Sequence, residues 1–215
     1  MGVVGSRQQQ LLDLLLRNKG GMTVDELAAA LDITRTAVNQ HLAVLERDGY
    51  VGKADLQKTG GRPGRLYTLT PSGIELFPKQ YSWFSGLLLE TLKKQLGSAG
   101  LESYLRAMAA QLAPGLRARL AGQDKAGQVA EVVRIMSEMH YQASMSGDGT
   151  QGDMPAIEAH NCVYHHLAQH YPEVCQFDLA LLAEVLQSDV AHEECIVRGG
   201  GVCRFKFRAR ADGGQ

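Results

Sequence analysis

Two cysteines and four histidines lie within the sixteen residues HNCVYHHLAQHYPEVC at positions 160–175. The chain contains four cysteines, and all of them lie in its last quarter: Cys162, Cys175, Cys195 and Cys203. Thiolates are soft ligands that suit zinc, copper(I) or iron-sulfur clusters. In a reducing cytosol, clustered cysteines are more often metal ligands or redox groups than structural disulfides. This part of the chain is therefore a candidate metal or redox site.

The spacing of these cysteines differs from that of a zinc finger. Twelve, nineteen and seven residues separate successive cysteines, whereas zinc-finger ligands come in pairs only about two to four residues apart. A folded domain must therefore collect the thiols, so the site depends on tertiary structure. Spacing alone leaves three interpretations open: a metal or cluster site, a redox disulfide pair, and buried inert thiols. A helix predicted over 162–169 places Cys162 at a helix start, where the helix dipole favours the thiolate.

The first 78 residues carry the pattern of a winged helix-turn-helix. Apolar residues at helical spacing predict a helix from residue 7, a second after the capping-box sequence TVDE, and a third from Thr34 to Asp48. Two β-rich runs, YVGKADL and RLYTLT, flank the segment QKTGGRPG and predict a hairpin. Three helices followed by such a hairpin make a winged helix, so residues 1–78 form the first predicted domain.

The third helix of a winged helix enters the DNA major groove, where residues near its start reach base edges. Arginine can bracket guanine, and asparagine or glutamine can bracket adenine, while wing cations and a histidine suit phosphates. The formal net charge of −1 does not itself argue for nucleic acid, and some winged helices bind only protein. The concentration of base-reading types nevertheless favours double-stranded DNA. The predicted contact residues are Arg35, Thr36, Asn39, Gln40 and His41 on the helix, with Lys58, Arg62 and Arg65 on the wing.

The rest of the chain divides into a linker helix, predicted within 79–98, and a C-terminal sensor domain at 99–215. Apolar residues recur at intervals of four through YSWFSGLLLETLKKQL, from Phe84 to Leu96, and this stripe favours dimerisation. In the sensor domain, Pro114 is predicted to interrupt the helices, and SGDGTQGD to form a loop. The run ECIVRGGGVCRFKFRAR predicts a β-hairpin in which alternate residues from Cys203 share one face. The predicted fold class is α+β, with a winged helix, a dimerisation helix and an α/β cysteine-rich domain.

Other functional classes find little support in the sequence. The chain lacks a long apolar run and a signal-peptide pattern, which predicts a cytoplasmic protein with no membrane association. Cys162 and His165 resemble a nucleophile and base, but a catalytic pair also needs an orienting group and an oxyanion site, which the spacing does not identify. We therefore expect no enzymatic activity and no small-molecule substrate.

The two ends of the chain together resemble a known family. A winged helix followed by Cys-x12-Cys-x27-Cys, formed by Cys162, Cys175 and Cys203, is similar to the SufR family of transcriptional regulators. The local sequences NC, LAQHYPEVC and GGGVCRF match as well, and the resemblance covers nearly the whole chain, being weakest over 81–140. It implies a homodimer with a [4Fe-4S] cluster on each subunit. It also implies binding to a palindromic operator of iron-sulfur assembly genes when loaded, with release when the cluster is lost or oxidised.

The resemblance assigns three of these cysteines as cluster ligands and leaves the fourth ligand open. Some family members have an extra cysteine four residues before the first ligand, where this chain has Glu158. Cys195 lies eight residues before Cys203 across the predicted hairpin and is the favoured fourth ligand. The alternatives are His160, His165, His166, His192 and Glu158. A zinc- or copper-responsive regulator and a thiol-redox regulator, each using the same cysteines, are the alternatives to cluster sensing.

Overall fold

The computed structural model describes residues 5–54, 65–147 and 155–210. The chain divides into two compact units, Met1–Gln80 and Tyr81–Gln215. Both units combine helices with a small antiparallel sheet, so the α+β fold class is confirmed. Among the described helices, we find none with the length and apolarity needed to cross a bilayer.

The first unit is a winged helix-turn-helix. Strands β1 and β2 pair antiparallel, with Val51 opposite Leu69, and form the wing. The wing tip lies outside the described residues, and with it the predicted contacts Lys58 and Arg62. The elements of this unit are α1 (Ser6–Arg17), α2 (Val24–Leu31), α3 (Arg35–Arg47), β1 (Val51–Ala54), β2 (Leu66–Leu69) and α4 (Pro71–Glu75).

Local sequence signals explain where these helices begin. The Thr23 hydroxyl accepts a 3.2 Å hydrogen bond from the Glu26 amide, and the Glu26 carboxylate accepts a 2.7 Å bond from the Thr23 amide. This arrangement is the predicted capping box. Thr34 caps α3 by accepting a 3.2 Å bond from the amide of Ala37. The apolar faces of the helices then meet in one core, whose fully buried leucines are Leu11, Leu12, Leu15, Leu27, Leu42 and Leu45.

The second unit packs helices against a four-stranded antiparallel sheet of order β3-β4-β6-β5. Cys203, Phe205 and Phe207 alternate along β6 and are buried, as the sequence predicted. The first strand of the hairpin was predicted in the wrong place: it is Ser188–Glu194, and Ile196–Arg198, predicted within that strand, form a 3-10 turn. The elements are α5 (Tyr81–Arg117), α6 (Lys125–Glu138), β3 (Ala143–Ser146), β4 (Ala156–Ala159), α7 (His165–His170), α8 (Cys175–Leu186), β5 (Ser188–Glu194) and β6 (Cys203–Ala209).

The long helix α5 is broken once along its length. Gly97 has φ 70° and ψ 174°, outside the helical region, so two helical segments meet there at a kink. This conformation is essentially restricted to glycine. The predicted interruption at Pro114 is wrong, because the helix continues to Arg117. Pro114 removes the one backbone hydrogen bond that its N–H would donate to the Ala110 carbonyl, and the helix continues for only three residues beyond it.

Candidate functional site

All four cysteines line one pocket in the second unit, although they come from four separate parts of the fold. Cys162 lies in the turn before α7, and Cys175 is the first residue of α8. Cys195 directly follows β5, and Cys203 begins β6. None of the four forms a disulfide. The sheet edge and the two helices thus bring together thiols that are far apart in sequence.

Three potential ligand atoms form the tightest group in this pocket. A ring nitrogen of His192 and the sulfurs of Cys195 and Cys203 lie within 4.8 Å of one another. Sulfur ligands at about 2.3 Å from a tetrahedral zinc ion stand about 3.8 Å apart, so this group needs little movement to hold one ion. Among the histidines proposed as fourth ligands, the structure therefore places His192 nearest to two cysteines.

The donor set and the space around it fit a thiolate-bound metal. The free volume among the lining side chains is about 20 Å³, which accommodates roughly one water-sized atom. A single ion fits this space directly. A four-iron group is larger than this space and requires the pocket to widen. The chemistry of four thiols and one imidazole suits either kind of metal centre.

Burial favours the protonated form of three of the pocket's thiols, those of Cys162, Cys175 and Cys203. It raises the pKa of Cys175 to about 12 and that of Cys203 to about 11. Burial also raises the pKa of Cys162, although a hydrogen bond with the Tyr164 backbone opposes this. The expected thiolate at a helix start is therefore wrong for Cys162, because α7 begins only at His165. Metal binding at these groups must release protons.

The remaining proposed ligands do not line the pocket. The Glu158 carboxylate accepts a 2.8 Å hydrogen bond from Arg204. His160 is exposed and lies 3.4 Å from the Ser144 hydroxyl. His165 and His166 are exposed on α7. These side chains are occupied or directed elsewhere, and sequence proximity alone had suggested them.

A close turn holds Cys195 against the pocket. The Gly200 amide donates a 2.9 Å hydrogen bond to the Cys195 carbonyl. A Cβ atom at Gly200 would lie 2.9 Å from that carbonyl oxygen and 2.7 Å from a Glu194 side-chain carbon. Only glycine fits this approach without displacement. The glycine run predicted as a hairpin turn therefore also positions a thiol.

Sequence reasoning missed a buried carboxylate that joins the pocket to α5. Glu173 lies two residues before Cys175, and its side chain is only 3% exposed. Lys93 approaches its Oε1 atom at 2.6 Å, and the Ser98 hydroxyl donates a short hydrogen bond to the same oxygen. Burial raises the pKa of the Glu173 carboxyl, but the bonds from Lys93 and Ser98 lower it by a larger amount. The pKa of Glu173 therefore lies below its ordinary value. Lys93 and Ser98 lie on opposite sides of the Gly97 kink, so one carboxylate spans the break.

The predicted DNA-reading residues of α3 form an outward face. Arg35, Thr36, Asn39 and Gln40 are exposed, and His41 is partly buried. The Arg35 guanidinium is 2.8 Å from the Asp25 carboxylate, and both side chains are largely exposed. Such an exposed ion pair is weak and can exchange partners. Arg65, the one predicted wing contact within the described residues, is also exposed.

Large apolar side chains remain exposed along α5. Phe84 and Leu88 extend the predicted stripe before the kink, whereas Leu92 is partly buried. Beyond the kink, Tyr104, Met108 and Leu112 are exposed at intervals of four. Both helical segments therefore carry an apolar surface, here called the α5 stripe and comprising Phe84, Leu88, Leu96, Tyr104, Met108 and Leu112.

Three comparisons relate this chain to known proteins. A search of curated proteins found no significant match. Among solved structures, a mutant of Staphylococcus aureus MepR is 30% identical, with a TM-score of 0.32, and the match covers 43% of this chain and 66% of that one. A second MepR mutant, from a multidrug-resistant S. aureus clinical isolate, is 18% identical over 64% of this chain and 80% of that one, with a TM-score of 0.31. Residues 7–64 match a family model described as an HTH domain. The chain thus carries a helix-turn-helix domain of the type found in DNA-binding transcription regulators.

Proposed function

We propose that this protein is a cytoplasmic transcription regulator, a repressor that senses iron-sulfur cluster status through the cysteine pocket. The observation that carries the proposal is the convergence of four distant thiols on one pocket in a chain with a helix-turn-helix domain. A structural core needs no such concentration of unpaired thiols. The regulated genes, on the resemblance to SufR, are those of iron-sulfur assembly.

The ligands in this proposal are Cys162, Cys175, Cys195 and Cys203. When bound, a [4Fe-4S] group supplies a centre that oxidants and iron shortage can remove. The chain's own contribution is to hold the thiols in a largely buried pocket and to release their protons on binding. Since the ligands come from separate elements, occupancy and tertiary structure are thermodynamically linked.

Glu173 supplies a route from the pocket to α5. Outward movement of the wall that carries Cys175 also moves Glu173, which is bonded to both sides of the Gly97 kink. A change in the kink alters the direction of the first half of α5, which follows the DNA-binding unit in the chain. A two-fold dimer reads a palindrome only when its recognition helices are about 34 Å apart. A small change in that separation is therefore enough to weaken binding to the operator.

A second copy of the chain is the proposed partner of the α5 stripe. Apolar side chains exposed at helical intervals favour association with a like helix. Two-fold association also supplies the pair of recognition helices that a palindromic operator requires.

A zinc-type regulator is the second candidate. The compact group of His192, Cys195 and Cys203 and the small free volume favour a single ion. Such a regulator would respond to the supply of the metal, and Glu173 would link the pocket to α5 in the same way.

The deciding experiment measures iron, sulfide and zinc per chain in full-length protein purified without air. We expect about four irons and four sulfides per chain and a brown colour. We also expect tighter binding to duplexes selected from a random pool when the protein is loaded. Cys162→Ser should lose the metal and the DNA response, whereas His165→Gln, an exposed neighbour, should keep both. One colourless zinc per chain supports the second candidate, and a wild type that takes up neither metal overturns both.

A further inference from the structure

We propose that His192 supplies one of the four metal ligands of the cysteine pocket in place of a cysteine, with its imidazole nitrogen coordinating beside Cys195 and Cys203. This inference rests on the proposed function of the pocket and specifies its donor set. Its starting point is that a His192 ring nitrogen and the two sulfurs lie within 4.8 Å of one another.

The orientation of the His192 ring is fixed before any ligand binds. The ring stacks on Phe205 of the neighbouring strand, with centroids 5.0 Å apart and planes 13° apart. The two residues are directly opposite each other in the β5–β6 pairing. A ring held in this way loses little conformational entropy when it coordinates a metal.

The two ring nitrogens have different surroundings. Nε2 is buried and has no hydrogen-bond partner among the described residues. The Glu194 backbone hydrogen-bonds to the ring, and because Nε2 has no partner, this bond is assigned to Nδ1. Histidine ligands typically donate one N–H to a carbonyl while the other nitrogen coordinates the metal.

Leaving Nε2 unpaired is costly without a ligand. A buried polar atom that lacks a partner loses the hydrogen bonds it made with water in the unfolded chain, which destabilises the fold. A metal at the Cys195–Cys203 edge satisfies this atom, and no other described group does so.

The test is pulsed electron paramagnetic resonance on the full-length protein, reconstituted with iron and sulfide without air and then reduced. The protein is prepared with ordinary histidine and with ¹⁵N-histidine. We expect a nitrogen hyperfine coupling that changes with the isotope. An iron-loaded wild type without histidine nitrogen coupling overturns the inference while leaving the proposed function intact. The wild-type measurement needs no substitution, so it stands even where variants fold poorly.

Variants locate the coupled nitrogen. His192→Leu should abolish the coupling and weaken metal binding at least about tenfold, since even outer-shell losses cost that much. His165→Leu, an exposed histidine on α7, should retain both. If the protein binds zinc and no iron, cobalt(II) replaces zinc as the probe, and the visible spectrum should differ between wild type and His192→Leu. Identical cobalt spectra contradict the inference, and a wild type that binds no metal contradicts the proposed function itself.

Discussion

The Tyr141 hydroxyl donates a 2.7 Å hydrogen bond to the Asp178 carboxylate, and both side chains line the cysteine pocket. Burial raises the pKa of Asp178 to about 6, although the Tyr141 bond opposes the shift. The negative charge of Asp178 in turn raises the pKa of Cys162 and Cys175. An ionisable acid therefore stands beside thiols that must lose protons when they bind a metal.

Asp178→Asn should change how stability depends on pH. The pKa of Asp178 is about 6 in the folded protein, above its ordinary value of 3.8, so the folded state binds this proton more tightly. The resulting stability is fully present below pH 3.8 and is lost as pH rises through 6, by roughly 3 kcal/mol. In urea unfolding of the metal-free protein from pH 4 to 7, Asp178→Asn should flatten this decline. Asp189→Asn, an exposed control, should leave it unchanged, and parallel curves for wild type and Asp178→Asn would contradict the prediction.

Glu173→Gln should uncouple the pocket from DNA binding. The amide is the same size but cannot hold Lys93 as an ion pair, so the link across the kink weakens. Typical allosteric coupling changes affinity about 5- to 150-fold, and we expect less than about twofold in this variant. Fluorescence anisotropy with loaded and metal-free protein measures the difference. Glu102→Gln is the control, because it removes an ion pair with Arg106 within α5. This variant should retain both the DNA response and the metal content. A full response in Glu173→Gln would exclude this route.

Two glycine substitutions in α5 should have opposite effects on stability. At Gly97 the positive φ makes an L side chain strained although space is open, so Gly97→Ala should cost about 1–3 kcal/mol. At Gly115, which is exposed and helical, alanine meets no neighbour and should add about 0.5–1 kcal/mol. Denaturant unfolding of both variants tests the contrast. Equal or reversed changes would show that the kink does not require glycine.

Residues of the winged helix should separate into base-reading and phosphate-binding groups. Asn39→Ala should weaken binding to the selected DNA by about 1–3 kcal/mol while leaving binding to random DNA little affected. Arg65→Ala should weaken binding to both DNAs equally. It should also reduce the slope of log affinity against log salt concentration by about 1. Arg47→Ala is the control, because this exposed residue at the end of α3 pairs with Asp48. Titrations at several salt concentrations distinguish these outcomes, and equal losses on both DNAs for Asn39→Ala argue against base reading.

A charge in the α5 stripe should dissociate the proposed dimer. Leu88→Glu buries an unpaired carboxylate in the interface, which costs about 3 kcal/mol or more and should raise the dimer dissociation constant at least about 100-fold. Sedimentation equilibrium measures this constant. Ser82→Glu adds the same charge at an exposed position of α5 that lies about 120° around the helix from Leu88, and it should leave the constant unchanged. A Leu88→Glu protein that dimerises normally places the interface elsewhere.

Local sequence signals were sufficient for part of the fold. The capping box of Thr23 and Glu26 and the alternation from Cys203 to Phe207 depend on neighbouring residues, and both were predicted. Strands β3 and β4 were missed because their sequences, ASMS and AIEA, are short and contain mostly small residues. They become strands through pairing with each other and with β6, which sequence spacing does not reveal.

The sequence identified the four thiols that line the pocket but not their geometry, and their role as metal ligands stays a prediction. Cysteine clustering identified all four thiols that line the pocket. Five other candidates, including His192 and Glu158, could not be ranked by sequence distance, since the fold decides which side chains face inward. Glu173 carried no sequence signal, because its two partners lie on α5, far away in the chain.

The pairing of Arg35 with Asp25 bears on how the recognition helix discriminates between sequences. In the absence of DNA, the carboxylate already satisfies the guanidinium that a guanine edge would otherwise engage. When Arg35 binds a base, it exchanges one hydrogen-bond acceptor for another. The net gain in free energy is the difference between its interaction with the base and its interaction with the Asp25 carboxylate. A base pair that offers a poorer acceptor geometry leaves Arg35 with its own chain, so Asp25 competes with the base and reduces the affinity that Arg35 can add at its preferred site.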